Sequence, residues 1–114
     1  MSLQAYLGGD NAVHELGRMT PSQPTDVAVA TTSTTVLAAD TTRNYALFVN
    51  NSDTAMRLSL DGTAATATDG LLLRANGGYY EMGPAWGNLT TAAVYAIHSG
   101  TGTKTLVVTT GAGV

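Results

Sequence analysis

From residue 26 onward, the sequence is dominated by short runs of alternating apolar and polar residues. The alternation is cleanest where Met56, Leu58 and Leu60 share one face of a strand and polar residues occupy the other. Threonine is abundant in these runs, and its β-branched side chain suits a pleated strand better than a helix. The pattern predicts eight strands, at residues 27–31, 34–38, 45–50, 56–60, 71–74, 79–82, 94–98 and 104–109.

One predicted strand is apolar on both of its faces. Tyr45, Leu47 and Val49 share one face, whereas Ala46 and Phe48 make the opposite face apolar as well. Residues 94–97 have a similar two-sided character. Such a pattern indicates a strand in the centre of a sheet, or one whose outer side is covered by a partner.

Clusters of Asn, Asp, Ser and Gly separate the strands, and these residues favour tight turns. Strand-sized runs spaced in this way predict an all-β, antiparallel β-sandwich. Spacing does not encode strand order, so a jelly roll and another Greek key both remain open. We expect residues 99–102 to form a hairpin turn and residues 63–68, where Thr and Ala alternate, to form a loop.

The first 25 residues lack strand alternation and contain two prolines, which favour an extended backbone near residues 19–25. We therefore divide the chain into an N-terminal arm, residues 1–25, and a β-sandwich domain, residues 26–114. The arm is either a floppy terminus or a segment that orders against a neighbouring subunit. Its apolar residues favour the second interpretation and are interface candidates: Leu3, Tyr6, Leu7, Val13, Leu16 and Met19.

The chain has 114 residues, the usual size of one domain. Only 11% of its residues are Asp, Glu, Lys or Arg, against roughly 25% in an average protein. A surface with few charges can approach a neighbouring subunit without burying unpaired ions, which is costly. Low charge therefore favours a protein that assembles with others.

The same charge balance argues against some partners. The net charge is −3 and the five cations are dispersed, whereas phosphate binding needs clustered Lys and Arg. No stretch approaches the roughly 20 apolar residues of a membrane span, and no signal peptide is recognisable. We expect no nucleic acid, no membrane and synthesis in a cytoplasm.

Catalytic residues are scarce. The two histidines lie far apart in sequence, and we expect His98, at a strand end, to be half-buried and bonded to backbone. A metal site needs three or four converging ligands, which the pattern does not supply. Residues 100–105 resemble a phosphate-binding loop only superficially, because no glycine precedes Lys104 and a strand follows instead of a helix. The sequence predicts neither an enzyme nor a bound cofactor.

Residues 79–86 gather two tyrosines, a methionine and the single tryptophan. Alternate members, Tyr80 and Met82, are expected to fill the core. Tyr79 and Trp86 are interface candidates, because Trp, Tyr and Met are enriched at interface centres. A sugar-binding platform is a further alternative.

Several segments taken together resemble small phage and prophage virion proteins. Residues 36–40 with 43–53 resemble a strand pair and its turn in those proteins. Residues 70–82, which include Ala75-Asn76-Gly77-Gly78, resemble the segment that follows it, and 94–100 and 104–109 its last strands. The resemblance covers about residues 34–110.

This resemblance implies a β-sandwich on a virion head, tail or fibre. In head proteins of this kind, trimers clamp neighbouring capsomers and N-terminal arms reach adjacent subunits. Our leading hypothesis is a capsid decoration or cement protein, made in the host cytoplasm, which binds the major capsid protein as a homotrimer. A tail or head–tail junction component and a glycan-binding module of a fibre are the alternatives.

Overall fold

The computed structural model describes residues 19–112, and within this range nine strands form. All eight predicted strands are among them, most within two residues of the predicted bounds. A single 3-10 turn, Pro84–Trp86, follows the seventh strand. The strands are β1 Thr20–Pro21, β2 Thr25–Val29, β3 Thr34–Leu37, β4 Arg43–Asn50, β5 Met56–Ser59, β6 Leu71–Leu73, β7 Gly78–Met82, β8 Val94–His98 and β9 Lys104–Ala112.

The strands form two antiparallel sheets that pack face to face. In the five-stranded sheet, β9 pairs with β1 and β2 on one side and with β4 on the other, and β7 follows β4. The four-stranded sheet has the order β3-β8-β5-β6. The all-β sandwich expected from the sequence is therefore confirmed.

The pairing also selects one of the two topologies left open by the sequence. Strands β2 and β9, β3 and β8, β4 and β7, and β5 and β6 are all partners. The chain is thus one long antiparallel hairpin, with residues 60–70 at its tip. The hairpin is rolled up, so that successive strand pairs along it belong alternately to the five-stranded and the four-stranded sheet. This is the jelly-roll topology, in which two packed sheets share the length of the hairpin.

The turn at residues 99–103 differs from its prediction. It joins β8 in the four-stranded sheet to β9 in the five-stranded sheet, so it is a connection between sheets and not a hairpin. Gly102 has a φ of 67°, in the left-handed region that suits glycine. The glycine-rich composition indicated a turn correctly, but a turn residue does not specify which strands it joins.

The core lies between the sheets and is built by alternate residues of each strand. Phe48 of β4 and Leu106 of β9 enter it from one sheet, and Met56 and Leu58 of β5 enter it from the other. The side chains that alternate with them point away from the core. Burial of these apolar side chains stabilises the domain by roughly 1.5–3 kcal/mol for each large residue.

The end of the predicted arm belongs to the five-stranded sheet. Thr20 and Pro21 pair with Ala112 and Gly111, and the Ser22 backbone N–H donates to the Thr110 carbonyl at 2.8 Å. The five-stranded sheet therefore includes the last residues of the predicted arm, from Thr20 onward.

Candidate interaction surface

The outer side of the five-stranded sheet carries an apolar surface, which we call the open face. Its positions alternate with the buried residues of β2, β4, β7 and β9, so they point away from the core. The strand register aligns Tyr79 beside Val49 and Val49 beside Val107, in one row across three strands. The apolar members of the open face are Ala28, Tyr45, Leu47, Val49, Tyr79 and Val107.

Few charges interrupt the open face. Among the outward positions of the described strands of this sheet, only Asp26 and Glu81 are ionisable carboxylates, and no lysine or arginine is present. Tyr79 is 67% exposed. Antiparallel sheets usually alternate apolar residues inward with polar residues outward. An outward row of Leu, Val and Tyr departs from that rule and is typical of a surface that is covered by another segment or subunit.

Trp86 stands at one end of the open face. It is 59% exposed and is carried by the 3-10 turn Pro84–Trp86. Its ring lies over Gly83, where an added Cβ would stand 3.0 Å from the indole and 3.7 Å from the Tyr45 ring. Glycine at this position thus leaves room for the indole close to the backbone, near the Tyr45 ring.

The side chain of Asn88 holds this turn in place. Its Oδ1 accepts a hydrogen bond from the Gly83 backbone N–H at 3.0 Å, and its Nδ2 donates to the Glu81 carbonyl at 3.0 Å. Nδ2 also lies 3.1 Å from Tyr80 Oη. These bonds tie together the two ends of the turn that carries the exposed Trp86.

Tyr45 and Glu81 form the polar contact of the open face. The Tyr45 hydroxyl donates to Glu81 Oε2 at 2.5 Å. This hydrogen bond, helped by desolvation and by the negative charge of Glu81, raises the pKa of Tyr45 to about 12. One oxygen of the Glu81 carboxylate is thereby paired with a hydroxyl donor on the open face.

The N-terminal end of the described chain also lies on this side. Gly111 pairs with Tyr45 and Pro21, and a Cβ added at Gly111 would overlap the side chain of Met19. Met19, one of the predicted interface residues, therefore covers the sheet at Gly111. The absence of a side chain at Gly111 makes room for this contact.

The predicted aromatic edge at residues 79–86 divides between core and surface. Met82 is fully buried and Tyr80 packs against the core, whereas Tyr79 and Trp86 are exposed. The two exposed rings are not neighbours, since Tyr79 lies beside Val49 and Trp86 lies near Tyr45. Four residues along β4 separate these positions by about 13 Å.

Five other predicted interface residues lie outside the described residues: Leu3, Tyr6, Leu7, Val13 and Leu16. Conversely, Tyr45, Leu47, Val49 and Val107 were not predicted as members of an interaction surface. For Tyr45, Leu47 and Val49, the available signal was the two-sided apolar pattern of β4. That pattern indicated a covered strand but did not identify which face points outward.

The outer side of the four-stranded sheet is different, and we call it the loop-covered face. Ile97 points to this side, yet it is only 8% exposed. The loop of residues 60–70 leaves β5, reaches Ser33 before the edge strand β3, and returns to β6. The Ala65 backbone N–H donates to Ser33 Oγ at 2.8 Å, and Ala65 is itself buried. The loop thus crosses the sheet and covers Ile97.

The buried polar side chains have structural partners. His98 Nδ1 accepts from the Gly100 backbone N–H at 3.1 Å, which leaves Nε2 to donate to the Gly102 carbonyl at 2.8 Å. This is the backbone-bonded role expected for His98, although the residue is fully buried instead of half-buried. Arg43 is also buried, and its guanidinium donates to the carbonyls of Ala38, Thr90 and Ala92. Desolvation lowers the pKa of Arg43.

The described residues contain neither a cluster of metal ligands nor a membrane-spanning helix. Nowhere in residues 19–112 do three or more His, Asp or Glu side chains come together in a way that could hold a metal ion. No helix within the same range is long and apolar enough to cross a membrane.

Comparison with known proteins adds no relative. No protein-family model matches the sequence, and neither a curated protein nor a solved structure shows significant similarity to the chain. The residues and their geometry therefore carry the functional argument.

Proposed function

We propose that this protein is a structural subunit of a bacteriophage virion, a capsid decoration or cement protein that binds across subunits of the major capsid protein. The observation that carries the proposal is the open face, an outward sheet surface in which Leu, Val and Tyr lie among threonines and two carboxylates, with no lysine or arginine. The resemblance of residues 34–110 to small virion proteins gives the surface its biological setting.

The chemistry of the open face suits a protein partner. Interface centres are depleted in charged residues and enriched in Tyr and Trp, which bury a large area with little loss of side-chain freedom. Trp86 and Tyr79 are the exposed aromatic residues of this kind, and Asn88 is hydrogen-bonded to Gly83 at the start of the Trp86 turn. Together with the N-terminal arm, these residues would form the surface that docks on the capsid.

Cementing would follow from mass action. A protein that binds the assembled shell and not its free subunits stabilises the shell by its binding free energy. A homotrimer presents three such surfaces at once, so that binding of the second and third is intramolecular and their combined affinity rises. Neither step requires a catalytic group.

Two other functions are the alternatives. A tail or head–tail junction component would use the same surface in a ring. A glycan-binding module of a fibre is favoured by one local feature, the exposed Trp86 ring beside the Tyr45–Glu81 pair. Sugar rings stack on aromatic faces, and a carboxylate can accept hydrogen bonds from their hydroxyl groups.

The location can be tested on particles of the phage or prophage that encodes the chain. Heads and tails are separated on a density gradient, and each fraction is quantified by mass spectrometry. We expect the chain in fixed proportion to the major capsid protein in the head fraction. Presence only in tails would favour the junction alternative, and absence from all particles would overturn the virion role.

The docking surface can be tested with heads from a strain that lacks the chain. Trp86→Ser is expected to weaken binding of the added protein by about 30-fold or more, as for a hot-spot residue. Leu72→Ser is the matched control, because Leu72 is 39% exposed on the opposite sheet. Equal losses in the two variants would contradict the assignment. Glycan-array binding that disappears with Trp86→Ser would support the fibre alternative instead.

The arm can be tested separately, and the fold defines where to cut. A deletion of residues 1–25 would remove β1, which pairs with β9. A chain that starts at Met19 keeps the whole described sheet. We expect it to keep its circular dichroism spectrum and to lose head binding, and undiminished binding would contradict a role for the arm.

A further inference from the structure

We propose that Asn76 is a site of spontaneous deamidation, and that the hydrogen bond from the Gly77 backbone N–H to Asn50 controls its rate. Asparagine is a chemically labile residue. It is most reactive before glycine, which has no side chain to hinder attack by its backbone nitrogen. The sequence contains Asn-Gly once, at residues 76–77. The inference concerns the isolated chain and does not depend on the virion role.

The reaction needs only these two residues and water. The Gly77 backbone nitrogen gives up its proton and attacks Cγ of the Asn76 side chain. A Cγ–N bond forms, the Cγ–Nδ2 bond breaks, and the displaced nitrogen takes up a proton and leaves as ammonia. Water then opens the succinimide ring at one of its two carbonyls. Cleavage of the Cγ–N bond gives aspartate in a normal backbone, whereas cleavage of the backbone C–N bond gives isoaspartate, in which the chain runs through Cγ.

The turn between β6 and β7 presents both residues to solvent. Asn76 and Gly77 are exposed, and a Cβ added at Gly77 would meet no atom within 4 Å. Their φ angles are 61° and 112°, in the left-handed region that asparagine and glycine adopt more readily than other residues. Water therefore reaches the site, and the conformation of the turn favours the reactive pair of residue types.

The reacting nitrogen is restrained in the folded protein. The Gly77 N–H donates to the Asn50 carbonyl at 2.7 Å, at the short end of the range for N–H···O bonds. The neighbouring Asn76 N–H donates to the Ser52 carbonyl at 2.8 Å. Removal of the Gly77 proton is unfavourable while this bond exists, because the nitrogen anion would face a carbonyl oxygen. Attack on Asn76 therefore requires the turn to open.

The acceptor of this bond belongs to a buried residue with several partners. Asn50 is fully buried, and its Nδ2 donates to the carbonyls of Thr54 at 2.9 Å and Leu73 at 3.1 Å. Its Oδ1 accepts from the Ser52 backbone N–H at 3.0 Å and from the Ser52 hydroxyl at 2.6 Å. Opening of the turn therefore means its separation from residues 50–54, which have hydrogen bonds of their own.

The two products differ in their effect on the turn. Aspartate keeps the backbone and adds one negative charge, whereas isoaspartate also adds a methylene between the N–H groups of residues 76 and 77. Those N–H groups bond the carbonyls of Ser52 and Asn50, so the longer backbone changes the spacing on which both bonds depend. Strand β7 begins at the next residue, and Tyr79 of the open face is its second residue. Isoaspartate should therefore loosen the start of β7.

Deamidation and amide hydrogen exchange at Gly77 begin with removal of the same proton, so their rates can be compared directly. The full-length chain is incubated near neutral pH, either folded or unfolded in guanidinium chloride, and conversion of Asn76 is followed by mass spectrometry of digests. Exchange of the Gly77 amide is measured on the folded protein by NMR. We expect folding to slow deamidation by the same factor, within about threefold, by which it protects this amide from exchange.

A variant of the neighbouring loop gives a second comparison. Ser52→Ala removes the hydroxyl that bonds Asn50 Oδ1. It should accelerate exchange and deamidation at residues 76–77 equally, by about fivefold, the effect of one lost hydrogen bond on an opening equilibrium. Thr32→Ala, at an exposed position of another turn, is the matched control and should change neither rate.

The effect of the product is tested on refolded protein. Chains converted in the unfolded state are refolded, and chromatography separates the isoaspartate form. We expect the Tyr79 amide to exchange faster in this form than in Asn76→Asp, which has the charge of the product and the original backbone. Equal exchange in the two proteins would overturn the predicted loosening of β7.

Three results would overturn the proposed site or its control. Equal rates of deamidation in the folded and unfolded chains would show that the hydrogen bond to Asn50 has no influence. In the unfolded chain, conversion of Asn51, which precedes serine, as fast as that of Asn76 would remove the assignment of the site. Faster exchange in Ser52→Ala without faster deamidation would show that the two reactions do not share an opening step.

Discussion

The two outer faces of the sandwich start from similar sequences and end in different states. Ile97 on the loop-covered face and Leu47 on the open face both lie on strands that are apolar on both sides. Ile97 is buried beneath residues 60–70, with Ala65 bonded to Ser33. On the open face, Met19 and Trp86 lie at the margin. The difference shows that a two-sided apolar strand indicates a cover but does not identify it.

The position of each face in the rolled hairpin accounts for this difference. The tip of the hairpin, residues 60–70, connects two strands of the four-stranded sheet and so folds over that sheet. The five-stranded sheet has no such tip. Its outer side is reached instead by the Met19 side chain, at the margin of β9.

The largest expected effect comes from removing the side chain beneath the loop. Ile97→Ala should lower the free energy of unfolding by about 2–4 kcal/mol, because it leaves a cavity under residues 60–70. Val107→Ala, at a half-buried position of the open face, should lower it by about 1 kcal/mol or less. Urea unfolding measures both. Equal losses would mean that the two faces are covered to the same extent.

A smaller effect is expected from the bond that fastens the loop. Ser33→Ala removes the acceptor of the Ala65 N–H and should cost about 1 kcal/mol. Amide hydrogen exchange should also become faster at Ala65, and Ile97 should lose protection if the loop lifts. Thr32→Ala, at the exposed position beside it, is the control. Similar exchange in both variants would show that the loop is held by packing alone.

The smallest effect at neutral pH, and the clearest pH dependence, is expected for Tyr45 on the open face. Its pKa in the folded protein is about 12, above the ordinary value of 10, so the folded state retains a proton that the unfolded state releases. The stabilisation is therefore present below pH 10 and is lost as the pH rises from 10 to 12.

Unfolding of the wild type and Tyr45→Phe at several pH values tests this assignment. Between pH 10 and 12, the free energy of unfolding should fall more steeply for the wild type than for Tyr45→Phe, because the other ionisable groups are the same in both proteins. Absorbance of tyrosinate should show one late-titrating tyrosine in the wild type that the variant lacks. Parallel stability curves would contradict the hydrogen bond to Glu81.

Part of the candidate site could be predicted from the sequence. The exposed Trp86 and Tyr79 were identified by residue type, and the burial of Met82 by alternation within a strand. Trp86 and Tyr45 could not be associated in this way, because they are 41 positions apart and meet only through Gly83 and the pairing of β4 with β7. Gly111 gave no signal either, since its role depends on the packing of Met19, which is distant along the chain.

The sequence by itself determined the strands, the turns and the class of the fold, because alternation and turn chemistry act between residues that are close along the chain. It also indicated that some strands are covered on both sides. Only the tertiary structure decided the jelly-roll order, the passage of residues 99–103 between sheets, and which face the loop would cover. These depend on pairing between distant strands, where the register and not the local pattern fixes which side chains become neighbours.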